Sequence, residues 1–151
     1  MKIHTLLRKQ IINKPIDEVF AFFDRPENLG DITPDFLNFS IMTPSPVAMK
    51  EGAVIDYSIK MMGIPMRWRS LISTYEPPYR FVDEQLRGPY SFWHHTHTFE
   101  EFPNGTLVTD RVLYAVPLGI LGRVAHPLFV RGQLDRIFDH RFRVVEQYFA
   151  R

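Results

Sequence analysis

Apolar and polar positions alternate with a period of two through the middle of the chain. Ala53, Ile55, Tyr57, Ile59 and Met61 alternate with Val54, Asp56, Ser58 and Lys60, as on a pleated strand. Strand-like runs also cover 66–75, 80–86, 92–99 and 106–116, and less regular ones 2–12 and 37–43. Gly63-Ile64-Pro65, Pro77-Pro78, Gly88-Pro89 and Pro103-Asn104-Gly105 punctuate them. Closely spaced strands joined by such turns predict an antiparallel meander. Helical patterns stand at either end. Pro15 is preorganised for a first helical position, Asp17 and Glu18 suit a helix N-terminus, and Val19, Phe20, Phe22 and Phe23 supply an apolar side. A second short helix is predicted over 27–32, stopped by Thr33-Pro34. From about 128 to 149, Leu134, Phe138, Phe142, Val145 and Phe149 recur at three- and four-residue spacings, with Asp135, Arg136, Asp139, Arg143 and Glu146 mostly opposite. That stripe is broad enough to cover the concave side of a bent sheet.

The turns also set registers. Joining neighbouring strands places Phe99 opposite Asp110, His97 opposite Val112 and His95 opposite Tyr114. It places His95 opposite Asp83, Trp93 opposite Gln85, Asp83 opposite Ile72, Phe81 opposite Thr74, Trp68 opposite Ile59 and Ser70 opposite Tyr57. One set of residues then shares an inner wall: Ile55, Tyr57, Ile59, Trp68, Ser70, Ile72, Phe81, Asp83, Gln85, Trp93, His95, His97, Phe99, Asp110, Val112 and Tyr114. A bulge in any hairpin would flip a face. The run 92–99 is the most unusual part of that wall, because Trp93, His95, His97 and Phe99 point one way while His94 points the other.

Composition narrows the class. A chain of 151 residues, 45% hydrophobic and 23% charged, suits one soluble domain over 1–151. A formal net charge of +1 gives no pull toward nucleic acid, and Arg131, Arg136, Arg141 and Arg143 read as a solvated helix side. The absence of cysteine excludes disulfides and thiolate chemistry. The first residues lack the apolar core of a signal peptide, and no run approaches the roughly 20 apolar residues of a membrane span. A cytoplasmic location is the expectation.

The order strand, two short helices, six strands, long C-terminal helix resembles the START-like superfamily, also called SRPBCC or birch-allergen-like. The segment Pro15-Ile16-Asp17-Glu18-Val19-Phe20-Ala21-Phe22-Phe23 is similar to the superfamily's opening helix, and Pro26-Glu27-Asn28-Leu29 with Ile32-Thr33-Pro34 to its second. More narrowly, Gly88-Pro89-Tyr90, Trp93, His95, His97, Phe99, Asp110, Tyr114, Pro117, Gly119 and Gly122 resemble a bacterial group of ligand-binding SRPBCC proteins, some labelled cell-division inhibitors. The resemblance implies an α+β helix-grip fold: a curved antiparallel sheet of about six to seven strands around the C-terminal helix, with two short helices after strand one. It implies an apolar or amphipathic ligand held between sheet and helix, and an epimerase-like protein as a candidate partner. It also admits polyketide-cyclase-like enzymes, since fold does not fix function.

The inner wall supplies the candidate chemistry. Asp83, Gln85, His95, His97, Asp110 and Tyr114 would orient a ligand's polar end, and Tyr57, Trp68, Phe81, Trp93, Phe99, Phe138 and Phe142 would hold its apolar body. His95 and His97 with Asp83 or Asp110 are the candidates for general acid–base chemistry of a cyclase or hydratase type. A purely structural ladder of paired imidazoles and carboxylates explains the same residues. A metal bound by both imidazoles and one carboxylate is chemically allowed, but the spacing alone is weak evidence, so no metal or cofactor is expected. No Ser or Cys nucleophile accompanies the histidines. The stretch 117–130, with Leu118, Ile120, Leu121, Leu128 and Phe129, reads as a pocket lid, a membrane-touching edge, or a contact for a partner or a second copy.

Overall fold

The structure is a computed structural model that describes residues 1–61, 63–117 and 129–150. Strand β1 (His4–Ile12) leads into helix α1 (Ile16–Phe23) and two 3-10 turns, Pro26–Gly30 and Asp35–Leu37. Strands β2 (Ser40–Ile41), β3 (Val54–Met61), β4 (Ile64–Glu76), β5 (Arg80–Arg87), β6 (Phe92–Phe102) and β7 (Gly105–Ala115) follow, and helix α2 (Arg131–Phe149) comes last. The strands form one seven-stranded sheet in the order β1-β7-β6-β5-β4-β3-β2, and every neighbouring pair is antiparallel. This is the α+β helix-grip architecture.

Two predicted elements shrink. The helix expected over 27–32 is the 3-10 turn Pro26–Gly30, and the strand expected over 37–43 keeps only Ser40–Ile41. Pro34 and the left-handed Asn38 (φ 47°) bracket a 3-10 turn where that strand was to begin. The 117–130 surface lies mostly outside the described residues; within them, Phe129 is exposed.

The registers are close to those expected, and the differences come from the turns. Phe102 pairs with Gly105, so the β6–β7 turn is centred on Pro103-Asn104, with Asn104 at φ 73°. Pro at a first corner and Asn at a left-handed second corner suit that turn. His97 therefore faces Asp110 and Trp93 faces Tyr114, a shift of two residues that leaves every face unchanged. The β3–β4 hairpin shifts alike, pairing Tyr57 with Trp68 and Ile55 with Ser70. In β4 the ladder slips between Ile72 and Thr74, so Phe81 faces Tyr75 rather than Thr74. The bulge turns Tyr75 inward, where its hydroxyl donates to Asp24 Oδ2 at 3.0 Å.

Two apolar clusters fill the interior. One joins Phe20, Phe23, Phe81, Phe99, Val108 and Val145; the other joins Leu6, Trp68, Trp93, Val112, Leu134 and Phe138. Helix α2 is tied to β1 along one side: Arg8 donates to Asp135 at 2.9 Å and to Asp139 at 2.6 Å, and Gln10 donates to the Phe142 carbonyl at 3.1 Å. This placement rotates the stripe. Leu134, Phe138 and Val145 are buried, while Phe142 is 43% exposed and leaves the inner face. Arg141, expected on the solvated side, lies inward in its place, with 12% of its side chain exposed. The inner stripe is thus 134, 138, 141, 145, which keeps helical spacing better than a stripe through 142.

Truncating the two helix positions tests this orientation. Leu134→Ala is expected to cost about 2–5 kcal/mol in denaturant unfolding, and Phe142→Ala no more than about 1 kcal/mol.

Candidate functional site

The concave side of the sheet, α1 with the 3-10 turns, and α2 enclose a cavity of about 180 Å³. One water needs roughly 10–15 Å³ of such space, so the cavity accepts a mid-sized organic molecule. Tyr57, Trp68, Phe81, Asp83, Trp93, His95 and His97, all on the expected inner wall, line it together with Phe138 of α2. The far walls come from segments outside the strand pattern. Phe22, Phe23, Leu29, Ile32 and Leu37 close it from the helical segment after β1, and Ile137 and Arg141 from α2. Alternation within strands carries no signal for residues contributed by turns, but the α2 spacing already held one for Arg141.

The remaining predicted ligand contacts lie elsewhere, each for a local reason. Gln85 is engaged with its own turn: its Nε2 donates to the Tyr90 carbonyl at 2.7 Å and its Oε1 accepts from the Tyr90 N–H at 3.1 Å. Gly88 permits this, because a Cβ there would stand 2.6 Å from Gln85 Oε1. Phe99 is sealed against Phe20 at a ring distance of 5.1 Å, and Tyr114 is fully buried beneath Tyr90 and Trp93. Phe142 faces outward. Asp110 is buried behind the two histidines rather than in the cavity wall.

The polar part of the wall is a crossed arrangement. His95 sits opposite Asp83 and His97 opposite Asp110 in the ladder. The short contacts run diagonally: His95 Nε2 is 2.8 Å from Asp110 Oδ1, and His97 Nε2 is 2.6 Å from Asp83 Oδ2. Diagonal cross-strand neighbours lie within reach of long side chains. The longer contacts complete the square, with His97 Nδ1 3.3 Å from Asp110 Oδ1 and His95 Nδ1 3.7 Å from Asp83 Oδ2. The imidazoles stack at 3.7 Å between centroids, and Phe81 stacks on His97 at 4.1 Å. Arg141 reaches Asp110 Oδ1 at 3.3 Å, and its guanidinium lies over the Phe23 ring at 5.3 Å and the Phe138 ring at 5.8 Å.

Charge decides the protonation pattern. Burial pushes the Asp110 carboxyl up, but Arg141 and then the two imidazoles hold it well below the usual carboxylate range. Burial likewise opposes ionisation of Asp83, and His95 and His97 bring it below its ordinary value. Burial lowers His95, and the neighbouring charge of His97 lowers it further. His97 is raised despite burial, because Asp110 and Asp83 both favour its charged form. With both carboxylates ionised and Arg141 charged, a proton on His97 makes the set neutral. Burial also pushes the Tyr57 phenol up, and its hydroxyl is paired with Ser70 Oγ at 3.0 Å on the cavity wall. Trp68 Nε1 is buried in the same wall with no hydrogen-bond partner among the described residues.

No protein-family model matches the chain, and no curated protein matches it. Solved structures do. The protein TTHA0849 of Thermus thermophilus superposes with a TM-score of 0.77 at 15% identity, covering 97% of each chain. Major latex-like protein 151 of Panax ginseng gives a TM-score of 0.71 at 16% identity, again covering 97% of each. Protein Ms6760 of Mycobacterium smegmatis gives 0.70 at 14%, covering 97% of this chain and 90% of its own. These likenesses show a shared fold, the helix-grip fold. Among the described residues no helix is long and apolar enough to cross a membrane.

The pKa directions fix a stability profile. Asp83 and Asp110 are depressed on folding, so their contribution is complete above the unfolded value of about 3.9 and is lost as pH falls through their folded values. His97 is raised, so its contribution is complete below about 6.5 and is lost as pH rises through its folded value. His95, being lowered, acts with the opposite sign and only below about 6.5. Urea unfolding from about pH 3 to pH 9 is expected to show acid loss below about pH 4 and a decline above about pH 6.5. His97→Gln should abolish the upper decline, and Asp110→Ala should cost about 3–5 kcal/mol near neutrality by stranding Arg141 and His95.

Proposed function

We propose that this chain binds one small amphipathic molecule in the cavity between sheet and α2. The observation that carries the reading is the division of the cavity wall into a continuous apolar part and one compact polar part. Tyr57, Trp68, Phe81, Trp93 and Phe138 offer flat faces for a ring system or a branched chain. Asp83, His95, His97 and Arg141 meet it at one place, and the pair Tyr57–Ser70 and the Trp68 indole N–H add hydroxyl groups and one further donor along the wall. With His97 protonated the buried charges cancel, and that polar end recognises a hydroxyl, carbonyl or carboxyl group by hydrogen bonding rather than by bulk charge. The resemblance to ligand-binding SRPBCC proteins supports the same reading. A cytoplasmic setting fits it.

One observation favours a second reading. Asp83 and His97 lie 2.6 Å apart on the cavity wall, so a bound substrate would meet a carboxylate–imidazolium pair suited to proton transfer. This is the cyclase or hydratase alternative, in which His97 gives or takes the proton and Asp83 fixes its orientation.

Native mass spectrometry of the purified protein, compared with its denatured mass, is expected to show a small organic molecule bound one to one. A mass equal to the bare chain, together with failure to bind any fatty-acid or aromatic-carboxylate probe, would end the binding reading. Ile137→Trp, which adds bulk from α2 into the cavity, should weaken binding of such a probe at least about tenfold while the thermal midpoint holds within a few degrees.

A further inference from the structure

The polar group has two sides with different surroundings. Behind it, away from the cavity, Asp110 Oδ1 lies 2.8 Å from His95 Nε2 and 3.3 Å from His97 Nδ1, and Arg141 holds the same oxygen at 3.3 Å. In front of it, Asp83 Oδ2 lies 2.6 Å from His97 Nε2 and 3.7 Å from His95 Nδ1. One carboxylate oxygen and two imidazole nitrogens thus converge, all within 4.8 Å of one another. Donors about 2.0–2.2 Å from a common divalent ion stand roughly 3–3.6 Å apart. The two separations from Asp83 bracket that range, and the two nitrogens lie within 4.8 Å of one another, so side-chain rotations that close this third edge would bring the donors onto one centre.

We propose that Asp83, His95 and His97 form a divalent transition-metal site that opens into the cavity, with Asp110 and Arg141 as its supporting layer. Each ligating imidazole of a protein metal site hands its other ring N–H to a carboxylate or carbonyl, which fixes tautomer and ring orientation. Asp110 does this for His95, and the same oxygen lies 3.3 Å from His97 Nδ1, which makes no hydrogen bond among the described residues. With the His95 Nε2–H donated to Asp110, the Nδ1 lone pair is left facing Asp83 and the cavity. Arg141 in turn anchors Asp110. The ligand set of two nitrogens and one oxygen, with positions left over, is that of zinc or ferrous sites rather than calcium or magnesium ones.

The site is placed to act on whatever the cavity holds. Asp83, His95 and His97 line the cavity and Asp110 does not, so an ion held by the three would be open to the cavity. A doubly charged ion beside two carboxylates and one guanidinium leaves one positive charge in surplus. On the binding reading above, the ligand's head is then an anionic oxygen group (a carboxylate, phenolate or enolate) coordinated to the ion. The inference departs from the sequence expectation of no metal. A His-x-His pair on a strand is a weak signal, and the third ligand comes from a neighbouring strand.

The test starts from EDTA-treated protein titrated with Zn²⁺ by calorimetry and with Co²⁺ by visible absorption. One equivalent of each is expected, with Co²⁺ bands of a nitrogen–oxygen site. Asp110→Asn should bind about 10–100-fold more weakly, and Asp83→Asn at least as weakly, with circular dichroism showing both variants folded. Should a variant unfold, the wild type still decides: on adding Zn²⁺, the ¹⁵N ring resonances of His95 and His97 should shift and those of the other imidazoles should not. No stoichiometric binding, unchanged affinity in folded Asp83→Asn, or shifts confined to other histidines would overturn the proposal. A fatty-acid probe added to the EDTA-treated protein separates this from the function proposed above. Probe binding without Zn²⁺ binding defeats only the metal, and Zn²⁺ binding without probe binding defeats only the cavity ligand.

Discussion

His95 and His97 stack at 3.7 Å between Asp83 and Asp110, and each of these groups must find its partner inside the protein. An ionised side chain left alone in an apolar interior costs several kcal/mol, so the group holds together only as a set. Arg141 belongs to that set, because two carboxylates need more positive charge than one imidazolium supplies. The crossed contacts from β5, β6 and β7 and the guanidinium from α2 therefore fix three strands and the closing helix relative to one another. A slip of one residue in any of these strands would point a buried charge at solvent and an apolar side chain into the polar set.

The same layer divides the interior. Along β6 the buried face reads Phe99, His97, His95, Trp93; along β7 it reads Val108, Asp110, Val112; along α2 it reads Val145, Arg141, Phe138. In each element an apolar residue of one core cluster comes first, the polar group next, and an apolar residue of the other cluster last. The cluster around Phe20 and Phe99 is closed by α1. The helix α2 is tied to β1 by Arg8 and Gln10, and it meets the wall from β3 to β6 only in part, through Leu134 and Phe138 against Trp68 and Trp93. The cavity is the space so left, and the polar layer forms one part of its wall.

Much of this was legible in the sequence. The alternation in 53–61 and 92–99, with turn residues between runs, carried the meander and the division of faces, so His95 and His97 were placed inward and His94 outward. The two-residue register shifts at Pro103-Asn104 and Gly63 preserved that division, since a side-chain period of two is blind to them. Contacts were less legible than faces. Asp83 and Asp110 were recognised as neighbours of the histidines, but the diagonal pairing depends on how long side chains cross the sheet, which no pattern encodes. The charge of Arg141 suggests a solvated side, while its spacing from Leu134, Phe138 and Val145 places it inward. Gln85, Phe99 and Tyr114 share the inner face with the cavity-lining residues, and whether such a residue meets a void or a neighbour depends on what packs over it. The 3-10 turns that close the cavity have no period to read.

The chain holds two tryptophans, Trp68 and Trp93, and both line the cavity with their rings 5.2 Å apart. Their fluorescence therefore reports directly on what enters. Titration with a fatty acid brominated midway along its chain tests the central claim, because bromine quenches indole only in contact. The account predicts quenching that saturates at one molecule per chain and is reversed by an unbrominated competitor. Quenching that grows linearly without saturation, as for tryptophan free in solution, would contradict it.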